Sequence, residues 1–405
     1  IMKRVLFSMV LLMTVGFTFA QVKNVKEAKS LIEETKPDFQ KAQELIGEAL
    51  TNPETKDDAN TWNVAGLIQK RYTEKENEKA YLRQPFDTNG VYNSFYNMFE
   101  YFLKCDQLEQ IPNEKGKIKF KYRKANAATM LMERPNLING GINAFNKDDN
   151  QEALKFFGMY VDVAKAPMME KEDLINKDTL ISQIAYYAAL AAAKAEDYDN
   201  VIKYAPMGVD DKEYGKYSME FLATAYKAKG DTAQWIVTLK DGIQKYPDYS
   251  FFFGHLIDYY SNSEKFDEAM TFADNMIAKD PNNPFFLYVK GYLYQNMKDY
   301  DNAISFYKRT IEADPTYAEA YSNLGLIYCQ QGLDYTDKVT TDFNDPKYAE
   351  EQAKIKKFYE DARPYYEKAR ELKPDQRDLW LNGLYTIYYK LNLGAEFEAI
   401  EKLMQ

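Results

Sequence analysis

Between Ser182 and Tyr317 the apolar and small residues recur every 34 positions (250 − 216 and 284 − 250 both give 34). In the window opening at Pro284 the marked residues are Leu287, Gly291, Tyr294, Ala303, Tyr307 and Pro315. One window forward, from Ala318, the matching places hold Tyr321, Leu324, Gly325 and Tyr328. One window back, from Ser250, they hold Phe253, Leu256, Tyr260, Ala269 and Pro281. From Lys216 they hold Met219, Leu222, Ala223, Tyr226 and Pro247. From Ser182 a small-residue version appears, with Ala185, Ala188, Ala189, Tyr198 and Ala205. Spacings of three and four predict helices with one apolar face, and each window holds two. Gly291 and Ala303 are small because two helices must approach closely where they cross. Tyr294 and Tyr307 fill the space around that crossing. Asp314-Pro315 ends the second helix, because Pro disfavours helical geometry in the residue before it.

The flanks follow the same logic less regularly. Val22 to Glu54 reads as a first hairpin, with Ala42, Ile46 and Ala49 on the inner face and Lys36-Pro37-Asp38 as its turn. Thr73 to Tyr81 is charged and helical, Arg83 to Gly90 a loop, and Val91 to Asp106 an aromatic helix. Ile111 to Gly116 is a turn, and Lys119 to Glu133 a helix. The pattern returns at Arg134 with Leu137, Gly141, Ala144, Ala153, Phe157 and Tyr160, and residues 168–181 then separate it from the regular array. The window at Ala318 carries an insertion: Ala362 stands where position 337 is expected, so 25 residues (362 − 337) are added. Leu333 to Asn344 reads as a loop there. Asp345-Pro346 reads as a helix start, with Asp as cap and Pro at the first position. Trp380, Leu384, Ile387 and Tyr388 open a last hairpin that Ala395 to Gln405 closes. No strand alternation stands out, so the fold class is all-α: stacked antiparallel helix pairs forming a superhelix.

These residues resemble the tetratricopeptide repeat, whose pattern is W-x₂-L-G-x₂-Y…A-x₃-F…P. Leu287 stands at its Trp place, and Lys290 departs from its Leu place. Trp62, Ala65 and Gly66 match the opening as well. The chain reads in three parts: a signal peptide at 1–20, irregular hairpins at 21–133, and an array at 134–405 with an insertion near 333–357 and a capping hairpin. The resemblance implies a superhelical solenoid. It also implies a concave groove lined by the second, fifth and ninth places of the first helices. Carried onto this chain, those places and their neighbours give Tyr186, Tyr217, Phe221, Phe251, Phe285, Tyr288 and Tyr292. Tyr385 and Tyr389 face the same way in the last hairpin. The basic clamp with which cytosolic co-chaperones of this family grip a C-terminal carboxylate is missing.

Composition sharpens this picture. Tyr 34 and Phe 24 are what ring-filled hairpins would produce. The net charge of −10 argues against nucleic acid, which needs a basic face. Lys3-Arg4, an uncharged apolar run from Val5 to Phe19 and Ala20 before Gln21 form a cleavable signal peptide. The run is too short to span a bilayer. Its removal takes the charge to −12 (−10 − 2). The expected location is therefore the periplasm or cell envelope, peripheral to a membrane at most.

Catalytic constellations do not emerge. A single His255 cannot form a two-histidine metal motif, and a packing role suits it. Cys105 and Cys329 lie far apart in sequence and have no nearby His or basic cluster to activate them. Asp334, Asp337, Asp342 and Asp345 match no calcium-loop spacing and read as a polar loop. The expectation is a non-enzymatic scaffold without cofactor or metal, binding a protein or peptide through an aromatic groove. The rival is a carbohydrate-binding accessory of an outer-membrane uptake system, since rings also stack on sugars.

Overall fold

The computed structural model describes residues 22–247, 249–263 and 265–404. The signal peptide lies outside them. Among the described residues there are helices and turns but no strands. The chain divides into two compact units, Ile1–Thr238 and Leu239–Gln405. The division falls inside the regular array.

The first unit begins with α1 (22–33), α2 (Phe39–Thr51), α3 (Ala59–Tyr81) and α4 (Thr88–Glu109). Ala42, Ile46 and Ala49 are buried as the spacing requires. The helices α3 and α4 form one long hairpin, in which Trp62, the charged stretch to Tyr81 and the aromatic stretch from Val91 are continuous elements. Next come α5 (Arg123–Glu133), α6 (Pro135–Phe145) and α7 (Asn150–Ala164). The helix expected from Lys119 starts only at Arg123. The reason is Glu109, whose carboxylate accepts the backbone N–H groups of Lys121, Tyr122 and Arg123 and so caps α5 from a distant helix. A 3₁₀ turn (Pro167–Glu172) and α8 (Leu174–Lys177) fill the gap before α9 (Ile181–Lys194), α10 (Tyr198–Gly208), α11 (Gly215–Ala228) and α12 (Thr232–Lys245).

The second unit holds the rest of α12, then α13 (Ser250–Asn262), α14 (Phe266–Lys279), α15 (Pro284–Asn296), α16 (Tyr300–Ala313), α17 (Ala318–Thr336) and α18 (Tyr348–Leu372). It ends with a 3₁₀ turn (Arg377–Leu379), α19 (Leu381–Lys390) and α20 (Gly394–Met404). First helices thus start at 181, 215, 250, 284 and 318, within one residue of the expected frame. Ala303 is fully buried, in a cluster with Tyr307, Ala320 and Leu324.

The insertion is built differently from the expectation. Gly332 does not end α17, which runs on to Thr336. A helix needs a stop signal of its own, and here Gly332 packs against Phe358 and Tyr359 of α18 and stays helical. Asp345 caps a turn by accepting the N–H of Lys347, and α18 begins after it at Tyr348. Both helices of this hairpin are therefore lengthened, and Tyr335 meets Phe358 across them at 6.0 Å.

A device at the hairpin turns repeats with the period. Asp149, Asp197, Asp231 and Asp299 each accept the N–H three residues on and start a second helix. The residue before each lies in the left-handed region: Asp148 (57°), Glu196 (55°), Gly230 (74°) and Lys298 (60°). Only glycine adopts that geometry freely, so Gly230 is the one unstrained choice of the four.

One polar lock is buried in the first unit. Arg134 pairs with Asp178, lies 3.5 Å over the Tyr160 ring and donates to the Tyr160 carbonyl. Burial pushes the Asp178 carboxyl up. Hydrogen bonds from Tyr160 Oη, the Leu180 N–H and Arg134 outweigh it and hold the group below the ordinary Asp value.

Candidate functional site

The rings named from the sequence sit on first helices, but most spend their faces on one another. In the first unit Tyr186 (α9) stacks on Tyr214 at 4.6 Å and 12°, and on Phe221 (α11) at 5.9 Å and 18°. Tyr217 stands on α11, 36% exposed. In the second unit Phe251 packs edge-on against Phe252 and against His255, which gives that histidine its packing role. Phe285 meets Phe253 at 5.1 Å across α13 and α15. Tyr288 packs on Tyr307 and Tyr317 at 5.5 and 5.0 Å.

Tyr288 also belongs to a hydrogen-bond network. Asn323 donates to Tyr288 Oη and Tyr307 Oη, each at 3.0 Å, and Tyr307 Oη donates to Gln295 at 2.7 Å. Burial pushes the Tyr288 phenol up to about 12. A neutral hydroxyl fixed in this way serves the packing of α15 on α16 and α17 more than it serves a ligand. Tyr292, one turn further along α15, is half-buried, and its hydroxyl has no hydrogen-bond partner among the described residues.

In the last hairpin Tyr385 is half-buried, and its ring lies 4.8 Å from Phe397 of α20. Its place in the hairpin turns it toward the capping helix, which needs an apolar cover. Tyr389 is 67% exposed, with Phe397 5.9 Å away.

Sequence reasoning missed a set of clefts in the first unit. One, of about 520 Å³, is lined by Asn89, Tyr92, Asn93, Asn97, Asn143 and Phe156, among others. A second cleft shares Asn93 and Asn97 and reaches Gly47 and Leu50 of α2. A third shares Lys155 and reaches Asn200 and Tyr204 of α10. They lie mainly between second helices, on α2, α4, α7 and α10. The signal was present in the sequence: Asn89, Asn93 and Asn97 are spaced by four, which puts them on one face of α4.

Cys105 and Cys329 are buried free thiols in different units, and burial pushes each up to about 12. Among the described residues no group of three His, Cys, Asp or Glu side chains is placed to hold a metal. Asp342 and Asp345 accept backbone N–H groups in turns, and Asp334 accepts from Gln330.

Ring-filled helical hairpins with a 34-residue period define a helical-repeat protein, a class built for binding. Residues 291–332 match the tetratricopeptide repeat family model. With the regular helix starts on either side, that match supports assigning the array to the tetratricopeptide repeat family. No curated protein matches it in sequence. It is similar to a tetratricopeptide-repeat protein of Bacteroides fragilis, at 18% identity over 67% of this chain and 98% of that one, with a TM-score of 0.32. It is also similar to the C-terminal part of a repeat-containing protein of Cytophaga hutchinsonii, at 17% identity over 65% and 92%, with a TM-score of 0.37. Scores that low carry nothing further over to this chain.

Proposed function

We propose that this chain is a non-enzymatic scaffold of the bacterial cell envelope that binds a protein or extended peptide through rings on its first helices. Tetratricopeptide repeats generally mediate protein–protein interaction. The observation that carries the finer reading is the parallel stack of Tyr186, Tyr214 and Phe221, half-open to solvent and flanked by the exposed Tyr217. Rings already held in place lose little entropy when a ligand covers them, and aromatic anchors dominate binding energies. The test is a peptide library panned on the mature protein. Selected peptides are expected to lose about 2 kcal/mol or more of affinity on Tyr217→Ala with Phe221→Ala. Peptides that bind this variant equally well would overturn the proposal. The envelope location rests on the Lys3 to Ala20 pattern. N-terminal sequencing from the native host should find a chain beginning at or near Gln21, and a full-length cytosolic product would contradict it.

The carbohydrate reading also has an observation in its favour. The 520 Å³ cleft combines amides with the half-buried ring of Tyr92, behind which Phe156 is buried. Amides both donate to and accept from hydroxyls, and rings take the C–H faces of sugars. Loss of glycan-array binding in Asn93→Ala with Asn97→Ala, with peptide binding unchanged, would favour this reading.

A further inference from the structure

Residues 111–124 depart from the acidic character of the chain. The segment reads Ile-Pro-Asn-Glu-Lys-Gly-Lys-Ile-Lys-Phe-Lys-Tyr-Arg-Lys, with six cations and one acid in a protein of net charge −10. From Lys117 to Tyr122, Lys alternates with Ile118, Phe120 and Tyr122, a period of two that no helix uses. The backbone at 117–120 is outside any helix, and residues 111–121 are all exposed. Ile111, Ile118 and Phe120 are 63%, 51% and 46% exposed.

Both ends of the segment are held. Asn113 Oδ1 accepts the N–H groups of Lys115 and Lys117, and Asn113 N–H donates to the Lys117 carbonyl. Gly116, at φ 68°, closes that turn. At the other end Glu109 takes the N–H groups of Lys121, Tyr122 and Arg123. Arg123 pairs with Asp106 and lies 3.5 Å over the Phe120 ring, while Tyr122 Oη donates to Asn60. Lys115, Lys117, Lys119 and Lys124 form no ion pair among the described residues. The loop thus presents free ammonium groups and partly exposed apolar side chains together, fixed on the end of α4.

We propose that the 111–124 segment is a contact site for the surface of an anionic lipid bilayer. An acidic protein partner would account for the lysines but not for exposed Ile and Phe beside them. A bilayer interface accounts for both: apolar side chains enter the acyl boundary, and Lys heads reach back to anionic headgroups. The proposed contact is peripheral; no helix among the described residues is long and apolar enough to cross a membrane. It rests on a different surface from the first-helix rings, and peptide binding can fail without affecting it.

The test is co-sedimentation of the mature full chain with vesicles of phosphatidylcholine, with and without phosphatidylglycerol. Binding is expected only with phosphatidylglycerol, and it should weaken as salt screens the lysines. Lys117→Gln with Lys119→Gln should weaken it roughly 25-fold, about fivefold per lysine. Ile118→Ser with Phe120→Ser should weaken it about tenfold or more. These side chains are exposed, so unchanged melting temperatures will show that the variants are folded. Absence of binding, equal binding to neutral vesicles, or unaltered binding by either variant would overturn the proposal. Binding to soluble polyglutamate that matches vesicle binding and survives the Ile118/Phe120 change would point instead to an acidic macromolecule.

Discussion

The α15–α16 and α9–α10 hairpins cross at equivalent positions and fill them in opposite ways. In the first, Gly291 faces the Tyr307 ring so closely that a Cβ at 291 would sit 2.8 Å from it. In the second, Ala189 and Ala205 hold the equivalent places, and both are fully buried. The Gly–ring form recurs at Gly66 with Phe102, Gly141 with Phe157 and Gly325 with Tyr366. The α13–α14 hairpin reverses the sizes, with Ile257 on the first helix and Ala273 on the second. A ring on one helix requires a hole on the other, while two small residues let the helices meet without one. The repeat conserves this fit across the crossing, not the residue at either place.

The most damaging change should be one that neither kind of crossing tolerates. Ala303→Glu puts a carboxylate into a fully buried site and should cost on the order of 3–5 kcal/mol. A thermal melt with an unchanged midpoint would mean that the 34-residue frame is misplaced. The comparison itself is tested next. Gly291→Ala overpacks against Tyr307 and should cost about 1–3 kcal/mol, even though Ala is the better helix former. Adding Tyr307→Leu should recover part of that loss, and a double-mutant cycle measures the coupling. Ala189→Gly in the other hairpin has no ring to accommodate and should cost only about 1 kcal/mol, the helix-propensity difference.

A smaller effect separates the α6–α7 hairpin, which adds a buried ion pair to its Gly–ring crossing. Asp178→Asn should cost about 1–2 kcal/mol at neutral pH by weakening the hold on Arg134. The Asp178 carboxyl is depressed in the folded state, so its stabilisation is present above the ordinary Asp value near 3.9. It is lost as pH falls through the depressed value. Urea titrations of the two proteins should therefore converge in acid and diverge toward neutrality. The least effect is expected at Tyr389→Ala, where an exposed ring is removed, at under about 0.5 kcal/mol.

The regular part of the fold was legible because each hairpin buries the same places, and packing restricts those places to small or apolar residues. The starts of α9, α11, α13, α15 and α17 fell within one residue of expectation for this reason. What was not legible depended on partners distant in sequence. The continuation of α17 past Gly332 needs Phe358 and Tyr359, which only the fold brings near. The late start of α5 needs Glu109. The period-two run at Lys117–Tyr122 was present in the sequence and is incompatible with the helix expected there. Among candidate site residues, place in the repeat located the helix correctly but not the freedom of the ring. Tyr288 is held by Asn323 and Tyr385 by Phe397, and neither partner can be read from position alone.

The central claim is that rings on first helices bind a protein or peptide partner, and one paired capture experiment tests it most directly. Mature protein carrying Tyr217→Ala with Tyr292→Ala is compared with wild type and with Lys308→Ala plus Arg309→Ala, two exposed positions on the second helix α16. Each is used for affinity capture from a native envelope fraction, with quantitative mass spectrometry. The account predicts a partner retained by wild type and by the α16 variant and lost by the ring variant, with all three equally folded by circular dichroism. A ring variant that retains the same partner at the same yield would contradict it.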